Sequence, residues 1–343
     1  MAVAWILRVI GCTATALCSG VMLCSGVMLC IGVMLSTKVV PCAEAMLAAS
    51  APAVDTADAR TVAVTFDDLP ATHAGGLPRL RRVTSQLLAH IEAARIPAIG
   101  FVNEGKLAVA GEEAERTALL QHWLDAGLEL GNHTYSHADF YVTPLAAFQS
   151  DVLQGEVVTR RLLAAQGKQP RYFRHPLLNT GPDLASKRAF ERFLSTHGYA
   201  IAPVTIDNDE WIYAKAYIMD AAAADSELRQ RIGQDYIRHM SETFAFHEEL
   251  SQQLLQREPA QILLLHANAL NAEWFDELVT MMQMRGYGFV SLETALRDPA
   301  YDQPDDYVGR LGPSWLQRWA VTQGKALRSA PSAPQWVHDL AGQ

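Results

Sequence analysis

Asp67 and Asp68 stand side by side at the end of the apolar run Val62-Ala-Val-Thr-Phe66, and His133 and His137 stand four apart in Gly131-Asn-His133-Thr-Tyr-Ser-His137. Two adjacent carboxylates repel each other and are costly to bury unless something positive holds them. Two histidines with a carboxylate supplied from elsewhere match the ligand set of a catalytic zinc, which keeps three protein ligands and an open position for water. One aspartate can then bind a metal while its neighbour handles protons. Each motif also has a plain reading. An Asp-Asp after a strand is often a solvated turn or a helix cap, and histidines four apart occur by chance.

The elements around these residues narrow the choice. Strand-like and helix-like segments alternate from Thr61 onward. The predicted strands are Thr61–Phe66, Pro97–Asn103, Leu128–His133, Arg171–His175, Tyr199–Asp207, Gln261–Ala267 and Gly288–Leu292. Between them lie helices such as Leu77–Arg95, where Leu80, Val83, Leu87, Leu88 and Ile91 recur at helical spacing. Pro144–Gln166 reads as one long amphipathic helix, and Glu112–Ala126, Asp183–His197 and Glu273–Arg285 are each closed by a glycine. The stretch Trp211–Arg257 breaks the alternation with two or three helices. Repeated βα units imply a parallel sheet. The expected fold is α/β, a distorted (β/α)7 barrel of parallel strands with a helical insert (212–257) before the sixth barrel strand. An open doubly wound sheet is the competitor. In either architecture active sites form at the C-terminal ends of the strands. Asp67, Asp68, His133, His137, His175 and His266 all fall there, which brings scattered positions to one rim.

In combination these motifs resemble the polysaccharide deacetylase family, also described as the NodB-homology domain or carbohydrate esterase family 4. The resemblance spans roughly Thr61 to Arg297 in five blocks. Thr65-Phe-Asp67-Asp68 resembles the first, which implies Asp67 as general base and Asp68 as metal ligand. His133-Thr-Tyr-Ser-His137 matches the second, the histidine ligand pair. Arg174-His-Pro176 resembles the third, which implies that Arg174 pairs with the base and that the Leu177 N–H helps hold an oxyanion. Asp207-Asn-Asp-Glu-Trp211 resembles the fourth, an acid beside the catalytic histidine followed by a tryptophan. Asp207, Asp209 and Glu210 are all candidates for the acid's place, and the resemblance implies that Trp211 lines the substrate pocket. Leu264-Leu-His266 resembles the fifth, which implies Leu264 as a pocket wall and His266 as general acid.

Two departures stand out. Leu177-Leu-Asn-Thr separates Pro176 from Gly181, a longer loop than the family's, and the acid next to Trp211 is Glu210 where Asp is usual. The implied reaction is metal-dependent hydrolysis of N-acetyl groups on a glycan. Zinc is the expected metal, with cobalt, manganese or nickel compatible with the same ligands. A same-fold hydrolase of a non-sugar C–N amide bond, or an inactive glycan-binding relative, is the alternative. No Gly-x-Ser-x-Gly elbow supports a serine esterase.

Composition sets the remaining bounds. Of 343 residues, roughly the first 45 are unlike the rest. Arg8 precedes an uncharged run from Val9 to Thr37, which contains a hexamer written three times with one change in the last copy (Cys18–Leu23, Cys24–Leu29, Cys30–Leu35). All five cysteines, Cys42 included, lie in this segment. Residues 1–45 read as a secretory signal or, because the run is long enough to span a bilayer, an uncleaved signal anchor. Lipidation at Cys42 is disfavoured by Pro41. Residues 46–60 read as a linker, 61–300 as the catalytic domain, and 301–343 as an extension that is partly disordered past Gln323. The expected location is exported, periplasmic or extracellular, with membrane contact only through an uncleaved N-terminal segment. The remainder has no cysteine, so neither a disulfide framework nor a thiol nucleophile is available to it. A net charge of −9 with no basic run argues against a nucleic-acid partner. The expected partner is an N-acetylated glycan.

Overall fold

The computed structural model describes residues 60–72 and 75–342. The expected signal, nearly all of the linker and His73 lie outside the described residues. Among the described residues no helix is long and apolar enough to cross a membrane.

Chain order is β1 (Thr61–Leu69), α1 (Leu77–Ala93), β2 (Ile99–Val102), α2 (Glu113–Asp125), β3 (Glu129–Asn132), α3 (Leu145–Gln154), α4 (Val157–Ala164), β4 (Tyr172–Phe173), α5 (Leu184–Thr196) and β5 (Ala200–Ile201). It continues with α6 (Glu210–Ile218), α7 (Asp220–Ala224), α8 (Ser226–Leu255), β6 (Gln261–His266), α9 (Ala269–Met284), β7 (Gly288–Phe289), α10 (Leu292–Ala295), α11 (Trp315–Thr322) and α12 (Gln335–Ala341). The sheet order is β5-β4-β3-β2-β1-β6 with β7 also on β1, and every pairing is parallel. After β5 the chain bends, and Ile206 forms a parallel bridge to Leu263 of β6. The sheet therefore curls into the distorted barrel expected from the βα pattern, closed on this side by one short bridge.

Burial explains the strand composition. Val62, Ala63, Val64 and Phe66 of β1 are all buried, as a parallel strand covered on both faces must be. The predicted apolar stripe of α1 is buried in the same core as Phe275 and Leu278 of α9. The predicted insert resolves into α6, α7 and the 30-residue α8, whose Ile232, Tyr236, Met240 and Phe244 are buried.

Three expectations are corrected. The single helix over Pro144–Gln166 is two helices broken at Gly155. A Cβ there would lie 2.4 Å from the Thr134 carbonyl carbon, so glycine lets the helix turn abut the loop that carries His133 and His137. The strand over Tyr199–Asp207 shortens to two residues plus the bridge at Ile206. Past Gln323, where disorder was expected, α12 forms and buries Val337 and Ala341 in the main core, with Trp336 under the Arg231 guanidinium at 4.3 Å. Seven residues after a Pro-rich stretch give little signal by themselves; the long-range contacts supply the order.

Candidate active site

Asp67 ends the stretch of β1 that pairs with β6, opposite His266 at the end of β6. Its carboxylate meets the buried Arg174, whose Nη1 lies 3.1 and 3.2 Å from the two oxygens. Arg174 is fixed in turn. Its Nε donates to the Ala202 carbonyl at 2.8 Å, its Nη2 to the Thr65 hydroxyl at 3.0 Å, and its guanidinium lies over Phe101. Burial pushes the Asp67 carboxyl above its ordinary range, while Arg174 and His266 pull against that shift. A carboxylate with a raised affinity for protons, held by one fixed cation, suits a general base.

The Arg174 main chain reaches the second group. Its carbonyl accepts from Nδ1 of His133 at 2.8 Å. A carbonyl can only accept, so Nδ1 carries the proton and Nε2 presents its lone pair. That nitrogen lies 3.9 Å from Asp68 Oδ1, and His137 Nε2 lies 3.7 Å from the same oxygen. The three ligand atoms sit within 4.8 Å of one another. Four-coordinate zinc with bonds near 2.1 Å would separate its donors by about 3.4 Å, so small side-chain movements suffice. Asp68 Oδ1 is buried and receives no directed hydrogen bond, although the Lys106 ammonium is 3.0 Å away and off line. The orphaned oxygen and the oriented imidazole fit a divalent metal. Burial works against ionised Asp68, but Lys106 and the two histidines hold its carboxyl well below the usual range.

On the opposite wall, His266 Nδ1 meets Glu210 Oε2 at 2.7 Å. Glu210 is fully buried at the start of α6, and its other oxygen accepts from the side-chain amides of Asn268 and Asn271. Burial alone would pull the His266 pKa down, but the Glu210 hydrogen bond and charge, with Asp68 and Asp67 adding to them, push it up to about 9. The imidazole is thus held protonated, as a general acid requires. Asp209 is not brought to this site. Its carboxylate accepts from the Ser332 hydroxyl and the Ala333 N–H, both at 2.9 Å. Its candidacy as the partner of His266 is corrected in favour of Glu210, because one step along a helix start turns the side chain by about 100°.

These groups share a cleft of about 350 Å³ lined by Asp67, Asp68, His133, His137 and His266. Leu177, Leu264 and the half-exposed Trp211 form apolar parts of its wall, as placed from the sequence. Sequence reasoning missed Lys106, Asn268, Asn271 and Gly312. Asn268 lies just past the end of β6, so the strand-end rule that found the histidines applies to it, whereas Lys106 sits in a short turn beyond β2. Gly312 carried no local signal. Asp207, one of three acids around the fourth block, also faces the cleft, and burial pushes its carboxyl up to about 6.

Backbone strain concentrates at this rim. Seven described non-glycine residues have left-handed φ, and five of them are Asp68, Thr134, His137, Leu177 and Leu178. Each such residue costs about 1–3 kcal/mol unless its surroundings hold it, and such residues cluster at functional sites.

Residues 55–190 match the family model described as polysaccharide deacetylase. Over this segment the chain is a member of the polysaccharide deacetylase family. A chitin deacetylase from Pestalotiopsis sp is 30% identical over 120 residues, which is 35% of this chain and 35% of that protein. The match thus spans about a third of that relative's length. A family 4 carbohydrate esterase from Streptomyces lividans, solved with acetate, is 19% identical over 69% of this chain and 95% of its own, with a TM-score of 0.43. A family 4 pseudoenzyme from Bacillus anthracis is 16% identical over 69% of this chain and 66% of its own, also with a TM-score of 0.43. Beyond the segment matched to the deacetylase family model lie Glu210, Trp211, Leu264 and His266, which this chain supplies in the same cleft.

Proposed function

We propose that the protein hydrolyses N-acetyl groups on an N-acetylated glycan outside the cytoplasm, with a divalent metal, zinc by preference, at Asp68, His133 and His137. One observation carries the reading. A base tied to Arg174, a three-ligand metal constellation and a protonated histidine tied to Glu210 face a single cleft. The long apolar N-terminal run supports the exported location.

A metal there would act as a Lewis acid on the acyl carbonyl and make a water acidic enough to attack at neutral pH. The protein's own groups do the rest. Asp67 takes one proton from water as the new C–O bond forms. The Leu177 N–H, for which no acceptor is found among the described residues, lines the cleft beside the developing oxyanion. As the C–N bond breaks, Nε2 of His266 gives its proton to the departing nitrogen, and Glu210 keeps the imidazolium charge balanced. The products are acetate and a free amine.

The test is acetate release by the metal-loaded protein across N-acetylated glycans, with His266→Ala as control. Release from at least one of them, lost in the control, is expected. Silence on every glycan combined with hydrolysis of small non-sugar amides would move the substrate to that class. Metal binding without any hydrolysis would mark an inactive binding relative.

A further inference from the structure

The turn that presents the Leu177 N–H is closed locally, Leu178 N–H donating to the His175 carbonyl at 3.1 Å and Asn179 N–H to the Pro176 carbonyl at 3.0 Å, yet its backbone is strained. Leu177 and Leu178 both adopt left-handed φ, 53° and 52°, without being glycine. Leu177 is 56% exposed toward the cleft, so packing of its own side chain cannot fix it. Further fixing groups come from the C-terminal extension, outside the segment matched to the deacetylase family model. Arg318 of α11 is fully buried and donates through Nη2 to the Leu178 carbonyl and through Nη1 to the Thr180 hydroxyl at 3.1 Å. Its Nε donates to the Pro313 carbonyl at 2.8 Å, and its plane lies over Trp315 at 4.0 Å. Two donors reach the turn, one ties back to the extension, and the flat face is stacked, so the guanidinium has one orientation. Gly312 closes the other side. A Cβ there would stand 2.0 Å from the Leu177 carbonyl oxygen and 2.8 Å from Leu178 Cβ. The extension is anchored by Trp315 N–H donating to the Val204 carbonyl at 2.7 Å and by the Ser314–Gln317 capping box.

We propose that Arg318 is a positioning residue for catalysis, clamping the strained Leu177–Leu178 turn so that the Leu177 N–H is aimed into the cleft. The inference rests on the deacetylase reading. A donor that acts on developing charge affects the transition state more than the bound substrate. Loss of the clamp should therefore lower kcat and leave KM nearly unchanged.

The experiment compares Arg318→Ala and Arg318→Lys with the wild type, all metal-loaded, on a glycan that the wild type deacetylates. Arg318→Ala should lose about 10²-fold in kcat, the scale of a group misplaced by roughly 1 Å, with KM and metal stoichiometry unchanged. Millimolar guanidinium chloride should restore part of that loss, and should restore nothing in His266→Ala. Arg318→Lys, which keeps the charge but not the fork, should fold and fall between the two. Three results would overturn the proposal: wild-type kcat in both variants, a fall in kcat matched by the loss of folded protein, or no guanidinium rescue of a folded Arg318→Ala. If the wild type releases acetate from no glycan, the deacetylase reading fails first. Amide exchange then decides the clamp separately. Exchange at Leu177–Thr180 should speed up in Arg318→Lys with no change at residues 133–137, and equal rates in variant and wild type would sink it.

Discussion

At the N-terminal rim of the curled sheet, Arg60 pairs with Glu258 at 2.7 Å and with Glu248 at 3.3 Å. Arg285 donates to Glu248 through Nε at 2.9 Å, and the Tyr287 hydroxyl lies 3.2 and 3.0 Å from the two carboxylates. Every charge there has a partner. At the C-terminal rim, Asp68 Oδ1, Asn103 Oδ1 and Asn179 Oδ1 are buried without a hydrogen bond, and five residues hold left-handed backbone. The same strands thus end in paired charges on one side, where Gln261 Oε1 is left without a partner, and in strained backbone with several unpaired oxygens on the other. A polar atom left unpaired in a fold costs stability, so it persists where something outside the chain completes it. Under the proposed function, a divalent metal would complete Asp68 Oδ1.

The largest effect should come from breaking the two carboxylates' division of labour. Asp67→Asn keeps the metal ligands intact and removes the base, so metal content should hold while kcat falls by about 10²–10⁴-fold. His133→Ala should lose both metal and turnover. Metal analysis by mass spectrometry beside acetate release separates them. Near-normal turnover in a metal-replete Asp67→Asn would remove Asp67 from the base role.

A smaller effect should follow from Glu210→Gln. His266 acts while protonated and Asp67 while ionised, so the kcat profile should be a bell that falls at low pH as Asp67 takes up its proton and falls again as pH rises through about 9. Glutamine cannot supply the charge that raises that value, so the alkaline limb should move to lower pH. Stability follows the same sign. The pair's contribution is full below the unfolded value of 6.5 and is lost as pH rises through about 9, and in the variant this loss should vanish. Rate and melting temperature measured across pH would test both, and an unmoved alkaline limb would exclude Glu210 as the residue that tunes His266.

Much of this rim was legible in the sequence because strand ends are. The apolar run of β1 fixed where Asp67 and Asp68 fall, and the run Ile262–Leu265 placed His266 opposite them. What was not legible depends on contacts far along the chain. The choice between Asp209 and Glu210 turns on where α6 begins and on Ser332 and Ala333, more than a hundred residues away, holding Asp209. Lys106 lacks a partner of its own in the local pattern, and only the fold shows its ammonium against Asp68. The extension read as partly disordered past Gln323, and nothing in its local pattern shows Arg318 reaching the Leu178 carbonyl or Gly312 abutting Leu177.

The smallest effect on chemistry should come from the opposite rim, and it tests the contrast itself. Glu248→Ala leaves Arg285 and Arg60 short of a carboxylate in a half-buried network. Removing one partner of such a group costs about 2–3 kcal/mol, less than for a fully buried pair because water reaches the arginines. The denaturation midpoint should fall while kcat, KM and metal content per folded molecule stay at wild-type values. The network lies across the sheet from the cleft, and the strands between are packed on both faces, so local relaxation near Arg285 has no strained turn to release. A drop in kcat for folded protein would mean that the two rims are coupled through the strands. The N-terminal network would then have to count among the groups that hold Asp67 and His266 in place.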